Sequence, residues 1–127
     1  MAPELNPEPE RARVLLVEDE VLIRTPVAHM LRGAGFVVIE ASSAGEAWAY
    51  LQAGAPVDLV FSDIQRPGSM DGAELARKVK ESYDHIVIVL TSGREGPPPG
   101  DNQHHFIRKP YRSANVVAMM MSLLGRE

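Results

Sequence analysis

The chain has 127 residues, 45% of them apolar and 24% charged, with a formal charge of −4 and no cysteine. That suits one soluble domain with a core of its own, and it excludes disulfides, thiolate metal sites and cysteine nucleophiles. The acidic balance gives no support for nucleic-acid binding, no apolar run approaches a membrane span, and the N-terminus carries no signal-peptide core, so the cytoplasm is the default expectation.

Residues 1–12, with Pro3, Pro7 and Pro9 set among glutamates, read as a disordered tail, because they hold too little apolar surface to offset ordering. A single domain is expected over 13–125. Val14-Leu15-Leu16-Val17 is the first buried strand and runs into three acids, Glu18-Asp19-Glu20. A helix follows, with Leu22, Ile23, Val27, Met30 and Leu31 expected inward and Gly33 and Gly35 closing it. Pro26 sits inside it and should remove a backbone bond or bend the axis. Phe36 to Ile39 is the second strand. Ser43 and Glu46 form a capping box for a helix carrying Ala47, Trp48 and Leu51, which stops near Gly54-Ala55-Pro56.

Leu59-Val60-Phe61 is long enough for a buried strand and too short for a helix, and it ends on Asp63. Pro67 and Gly68 then turn the chain into a loop. Asp71 and Glu74 can cap a third helix with Leu75, Ala76 and Val79 inward. Ile86 to Leu90 is strand four, ending in Thr91-Ser92-Gly93. His105-Phe106-Ile107-Arg108 is strand five, ending in Lys109-Pro110. Ser113 opens a last helix bearing Val116, Val117, Met120, Leu123 and Leu124. Strands alternate with helices, so a parallel sheet covered on both faces is expected. Between strands four and five the alternation breaks. Gly96-Pro97-Pro98-Pro99-Gly100 cannot carry a stable helix, so the fourth helix is expected to be missing or reduced to a turn. The segment from Arg94 to His104 is expected to be an extended, solvent-facing loop with at most one helical turn after Gly100.

Four strand ends now carry polar groups: Glu18 and Asp19, Asp63, Thr91 and Ser92, and Lys109. If the strands run in the order 2-1-3-4-5, strands one and three meet at the topological switch point and three carboxylates crowd one pocket. Like charges that close resist ionising together unless a cation neutralises them. An all-oxygen site with few protein ligands suits Mg²⁺. With an ammonium and a hydroxyl added, the arrangement suits phosphoryl transfer, with Asp63 as the nucleophile.

In this order the residues resemble the receiver domain of bacterial two-component response regulators. The match runs from about Arg13 to Leu124. Val17-Glu18-Asp19-Glu20, Asp63 with Pro67 and Met70-Asp71-Gly72 behind it, Thr91-Ser92 and Lys109-Pro110 carry it. The resemblance implies a flavodoxin-like, doubly wound, five-stranded parallel sheet. It implies Asp63 as phosphoacceptor, and Mg²⁺ held by Glu18, Asp19, Asp63 and the backbone carbonyl of Gln65. It also implies Thr91 as the switch hydroxyl, Lys109 as the phosphoryl-contacting lysine and Phe106 as the aromatic switch residue. Ser92 is small, as that position must be if a donor is to reach Asp63. The expected partners are a histidine kinase or histidine phosphotransfer protein and a downstream protein, with room for a homodimer. Three features depart from the family pattern. Glu18 replaces the commoner aspartate, the loop after Asp63 is one residue longer, and proline fills the place of helix four. The last departure leaves the output face open.

Simpler readings stand beside these. His104 and His105 point apart on a strand and find no third ligand, so they read as surface residues. Met120 reads as core, with Met119 or Met121 free for an interface, and Trp48 as packing of the second helix. The competing function is a haloacid-dehalogenase-like phosphatase, which also uses a strand-end aspartate, a hydroxyl, a lysine and Mg²⁺. Such enzymes carry an acid two residues after the nucleophile, where this chain has Gln65. A receiver that has lost phosphorylation is a further option, opposed by the intact acid, threonine and lysine set. No effector sequence follows Glu127, so the chain is expected to act by protein contact or as a phosphate sink if complete, and to be a receiver fragment of a larger regulator or hybrid kinase if not.

Overall fold

The computed structural model describes residues 11–64, 71–93 and 104–125. Among them run β1 (Arg13–Val17), α1 (Val21–Gly33), β2 (Val37–Ala41), α2 (Ala44–Gln52), β3 (Leu59–Asp63), α3 (Gly72–Ser82), β4 (Val87–Ser92), β5 (His105–Arg108) and α4 (Ser113–Leu123). Every strand pairing is parallel and the sheet order is β2-β1-β3-β4-β5, the flavodoxin-like order. The expected helix-four deficit, the Pro67–Met70 loop and residue 65 fall outside the described residues, as does 94–103. Ala12 already belongs to the folded body: it is buried, and its carbonyl accepts from the Val37 amide at 3.0 Å.

The period of two along each strand sorts side chains into two cores. Val14 and Leu16 of β1, Leu59 and Phe61 of β3 and Val89 of β4 face α1 and α4, where Val27, Leu31, Val116 and Met120 close over them. Leu15, Val17, Val60, Ile88 and Leu90 face the other way, against Ala47, Leu51, Leu75 and Val79 of α2 and α3. Every residue of β3 is buried, because it is the central strand with helices over both faces. Burial of these aliphatic side chains, at roughly 1.5–3 kcal/mol each, is what holds the strand ends in register.

Two details of α1 differ from expectation. Leu22 is 89% exposed and Met30 is 39% exposed, as an inward stripe over all five apolar positions would forbid. The buried stripe is Val27, Ala28 and Leu31. At about 3.6 residues per turn, Leu22 falls on the opposite side of the helix from that stripe and Met30 on its flank. Pro26 is exposed and the helix runs through it, so the missing donor faces solvent. After Ala34, Gly35 takes φ +102°, the left-handed exit that glycine adopts without a Cβ penalty.

The caps are partly as expected. Ser43 Oγ accepts from the Glu46 amide at 3.0 Å, but the Glu46 carboxylate reaches back to the amide and hydroxyl of Ser42 rather than to Ser43. Asp71 Oδ1 accepts from the Glu74 amide at 2.8 Å and starts α3. Ser113 opens α4 as expected, with Arg112 before it at the N-cap position and no side-chain cap bond. Met119 and Met121 pack half-buried beside the core residue Met120.

Candidate functional site

The site lies where the carboxyl ends of β1, β3, β4 and β5 meet. Register places the groups. Val17 stands opposite Ser62, Asp63 opposite Thr91, and Thr91 opposite Ile107. Glu18 follows Val17, and Lys109 lies two residues past Ile107. The Ile64 amide donates to the Thr91 carbonyl at 2.8 Å and the Lys109 amide to the Ser92 carbonyl at 3.0 Å, so the ladder continues to the edge of the pocket.

Lys109 draws the acids together. Its Nζ donates to Glu18 Oε1 at 2.9 Å and to Asp63 Oδ2 at 2.7 Å. Glu18 and Asp63 are both buried, an arrangement that two unpaired carboxylates would not tolerate. Burial drives the Glu18 carboxyl above its ordinary value; the Lys109 bond opposes this, and the neighbouring charge of Asp63 adds to it. For Lys109, burial pulls downward, but the bonds and charges of Asp63 and Glu18 outweigh it and raise the ammonium above its usual range. The lysine is therefore a fixed positive charge at any physiological pH.

Thr91 is buried, and its hydroxyl has no hydrogen-bond partner among the described residues. A buried donor left so costs about 1–3 kcal/mol, which a bound acceptor would return. Ser92 is fully buried behind it. Asp19 is exposed at the head of the β1–α1 turn. Phe106 is half-buried opposite Leu90, on the α2–α3 side of the sheet. Gln65 lies outside the described residues. His105 is exposed and His104 half-buried. Among the described residues no trio of His, Asp, Glu or Cys converges on one point, so the expected crowding of three carboxylates reduces to Glu18 and Asp63, with Asp19 turned to solvent.

Several contributors have no role of their own in the sequence reading. Gly72 is buried at the start of α3, with its amide 2.9 Å from the Ile64 carbonyl; a Cβ there would overlap the Asp63 carbonyl oxygen and lie 2.9 Å from Ile64 Cα. Glycine at that position lets α3 rest on the backbone that carries Asp63. Its signal in the sequence is a glycine directly after a capping aspartate. Tyr111 packs its ring on Phe61 at 5.8 Å, and burial with the nearby Glu18 charge pushes its phenol up to about 12, against the opposing Lys109 charge. Ile23, Gly93, Lys109, Pro110 and Tyr111 line a depression of about 290 Å³ beside the pocket, and the Lys109–Pro110 peptide is cis. Arg24 donates from Nη1 to the Glu18 carbonyl at 2.7 Å.

Fold and pocket together define an α/β domain with an acid–lysine pocket at the carboxyl edge of a doubly wound sheet. Known proteins share the fold. The family model of the response regulator receiver domain matches residues 14–120. A receiver protein from Sinorhizobium medicae superposes with a TM-score of 0.81 at 30% identity, over 91% of this chain and 96% of that one. The sensor kinase CckA of Brucella abortus is 31% identical over 122 residues, 91% of this chain and 13% of that protein. The transcriptional regulatory protein FixJ of Azorhizobium caulinodans is 27% identical over 125 residues, 93% of this chain and 57% of FixJ. The chain thus spans from about an eighth to little more than half of these curated relatives. It belongs to the response regulator receiver domain family of two-component systems. The match stands in place of the phosphatase reading. No described helix is long and apolar enough to cross a membrane.

Proposed function

We propose that the domain is a phosphorylation switch that accepts a phosphoryl group on Asp63 from a phosphohistidine of a histidine kinase or phosphotransfer protein. The observation that carries this is the Lys109 ammonium bonded to both Glu18 and Asp63, next to a buried Thr91 hydroxyl that lacks an acceptor. An Asp63 carboxylate oxygen forms the new P–O bond while the P–N bond to the donor ring breaks; the bonding pair stays on that ring nitrogen, and with the proton already on the other ring nitrogen the imidazole leaves neutral. Lys109 holds charge on the transferred oxygens, and Thr91 donates to one of them. Ser92 leaves room for the donor. Phe106, half-buried beside Leu90, reports the change toward a partner.

The donor set fits Mg²⁺. It is all oxygen, and two of its carboxylates already turn onto one cation, the Lys109 ammonium. Glu18 and Asp63, joined by Asp19 once it turns inward and by the backbone carbonyl of Gln65, would hold the ion. Bound there, it neutralises charge on the phosphoryl oxygens. The domain works in the cytoplasm and alters its contacts with a downstream protein or with a second copy. A second reading, the receiver segment of a larger regulator or hybrid kinase, is favoured by the short share of CckA and FixJ that the chain covers; it uses the same site.

Turnover tests the reading. Given a labelled phosphodonor and Mg²⁺, the protein should retain label in near-stoichiometric amount. Many phosphates released per chain, with none retained, would mean an enzyme instead.

A further inference from the structure

We propose that Arg24 is a positioning residue for the acid pair, acting through the Glu18 carbonyl; the proposal rests on the Mg²⁺ and phosphoryl reading above. Glu18 is gripped at every polar atom. Its amide donates to the Ala41 carbonyl at 3.0 Å, its Oε1 accepts from Lys109, and its Oε2 accepts from the Glu20 amide at 3.2 Å. The remaining atom, the carbonyl oxygen, lies where β1 leaves the sheet, and Arg24 Nη1 meets it at 2.7 Å from the first turn of α1. The peptide is planar, so fixing that oxygen also fixes the direction in which the chain enters Asp19. One guanidinium thereby sets the orientation of both acids.

Arg24 is itself aimed. Its Nε donates to Glu40 Oε1 at 2.9 Å, and the other oxygen of Glu40 accepts from Arg32 Nη1 at 3.0 Å. Arg32 is anchored in turn by Nη2 on the Val38 carbonyl at 2.8 Å. Burial pushes the Glu40 carboxyl upward, but the bonds and charges of the two arginines overcome it and hold the group below its ordinary value. Glu40 divides its single negative charge between Arg24 and Arg32, so what sets Arg24 apart from Arg32 is its bond to the Glu18 carbonyl. Lysine at 24 could reach one of the two acceptors but not both, since only the planar fork spans them.

The experiment titrates Mg²⁺ into the full chain by calorimetry and follows amide exchange at Glu20 without metal. Outer partners of a metal ligand are typically worth 10–100-fold in affinity, so Arg24→Ala should weaken Mg²⁺ binding by about tenfold and Arg24→Lys by about threefold. Arg32→Ala removes comparable bonds to the same Glu40 but none to Glu18, and should stay within about twofold of wild type. The Glu20 amide, held by the Glu18 carboxylate, should exchange about fivefold faster in Arg24→Ala and unchanged in Arg32→Ala. Should Arg24→Ala fail to fold, Arg24→Lys and Arg32→Ala decide alone. Equal effects of the Arg24 and Arg32 substitutions, or wild-type values in the Arg24 variant, would overturn the proposal. A wild-type chain that binds no Mg²⁺ would overturn the reading of the pocket, while exchange at Glu20 would still decide the role of Arg24.

Discussion

Lys109→Ala should destabilise the metal-free domain, and more so as pH rises. In the wild type, one ammonium sits 2.9 Å from Glu18 and 2.7 Å from Asp63, and the Glu18 side chain is only 3% exposed. Truncating the lysine leaves two carboxylates facing each other. Breaking a buried pair this way costs about 3–5 kcal/mol. Asp63 retains some solvent contact, at 12% side-chain exposure, so the lower end applies, about 3 kcal/mol. For a domain of this size that is roughly a 10 °C loss in Tm. The pH dependence follows from Glu18. Its folded pKa is already raised by burial above the ordinary 4.5, and without Lys109 it rises further. A folded state that binds a proton the unfolded state has released loses stability as pH increases through the folded pKa. The deficit should therefore be smaller at about pH 5 than at about pH 7.5, and Mg²⁺ should recover part of it by replacing the lost cation. Urea melts of both proteins at the two pH values, with chelator and then with Mg²⁺, read this directly. An equal deficit at both pH values, or none at about pH 7.5, would refute the account of how the pocket is neutralised.

Thr91→Val removes a buried hydroxyl that lacks a partner among the described residues, so the unphosphorylated domain should be unchanged or more stable by about 1 kcal/mol. The same variant should lose the spectral response to a beryllofluoride phosphoryl mimic; marked destabilisation would show that the hydroxyl has a structural bond. Gly72→Ala forces a Cβ into the Asp63 carbonyl and should cost more than about 2 kcal/mol, measured by denaturant midpoint; a neutral result would mean that α3 shifts freely. Asp71→Ala removes the α3 cap to the Glu74 amide and should cost about 1 kcal/mol while leaving Mg²⁺ affinity in place, a split that calorimetry and melting together resolve. Below its ordinary carboxylate range, protonation of Glu40 should release the two arginines, so that Glu40→Gln flattens the acid limb of the stability profile.

The chain ends of the strands were legible because the signals are local. The run Leu59-Val60-Phe61 and the Asp63 that follows, and the span His105–Arg108, sit in the fold as their apolar patterns imply. The strand order came with the family resemblance rather than from the residues themselves, and the sheet has that order, with Glu18, Asp63 and Lys109 meeting at its edge. Leu22 and Met30 were misplaced because several apolar residues in α1 compete for one narrow stripe, and periodicity alone does not say which lose. Arg24 was invisible for a different reason. Its acceptors are a carbonyl six residues back and a carboxylate sixteen residues on, and no residue pattern announces a bond to a main-chain oxygen. Gly72 stood inside the recognised motif, but the close approach that requires it exists only once α3 is laid against the end of β3.

The central claim is that Asp63 carries the phosphoryl group, and borohydride trapping tests it most directly. The protein is incubated with a phosphodonor and Mg²⁺, reduced, digested and mapped by mass spectrometry. An acyl phosphate on Asp63 should appear as homoserine at position 63, dependent on Mg²⁺ and missing from Asp63→Asn. Reduction at Glu18 or Asp19 instead, or undiminished acid-stable labelling of Asp63→Asn, would contradict it.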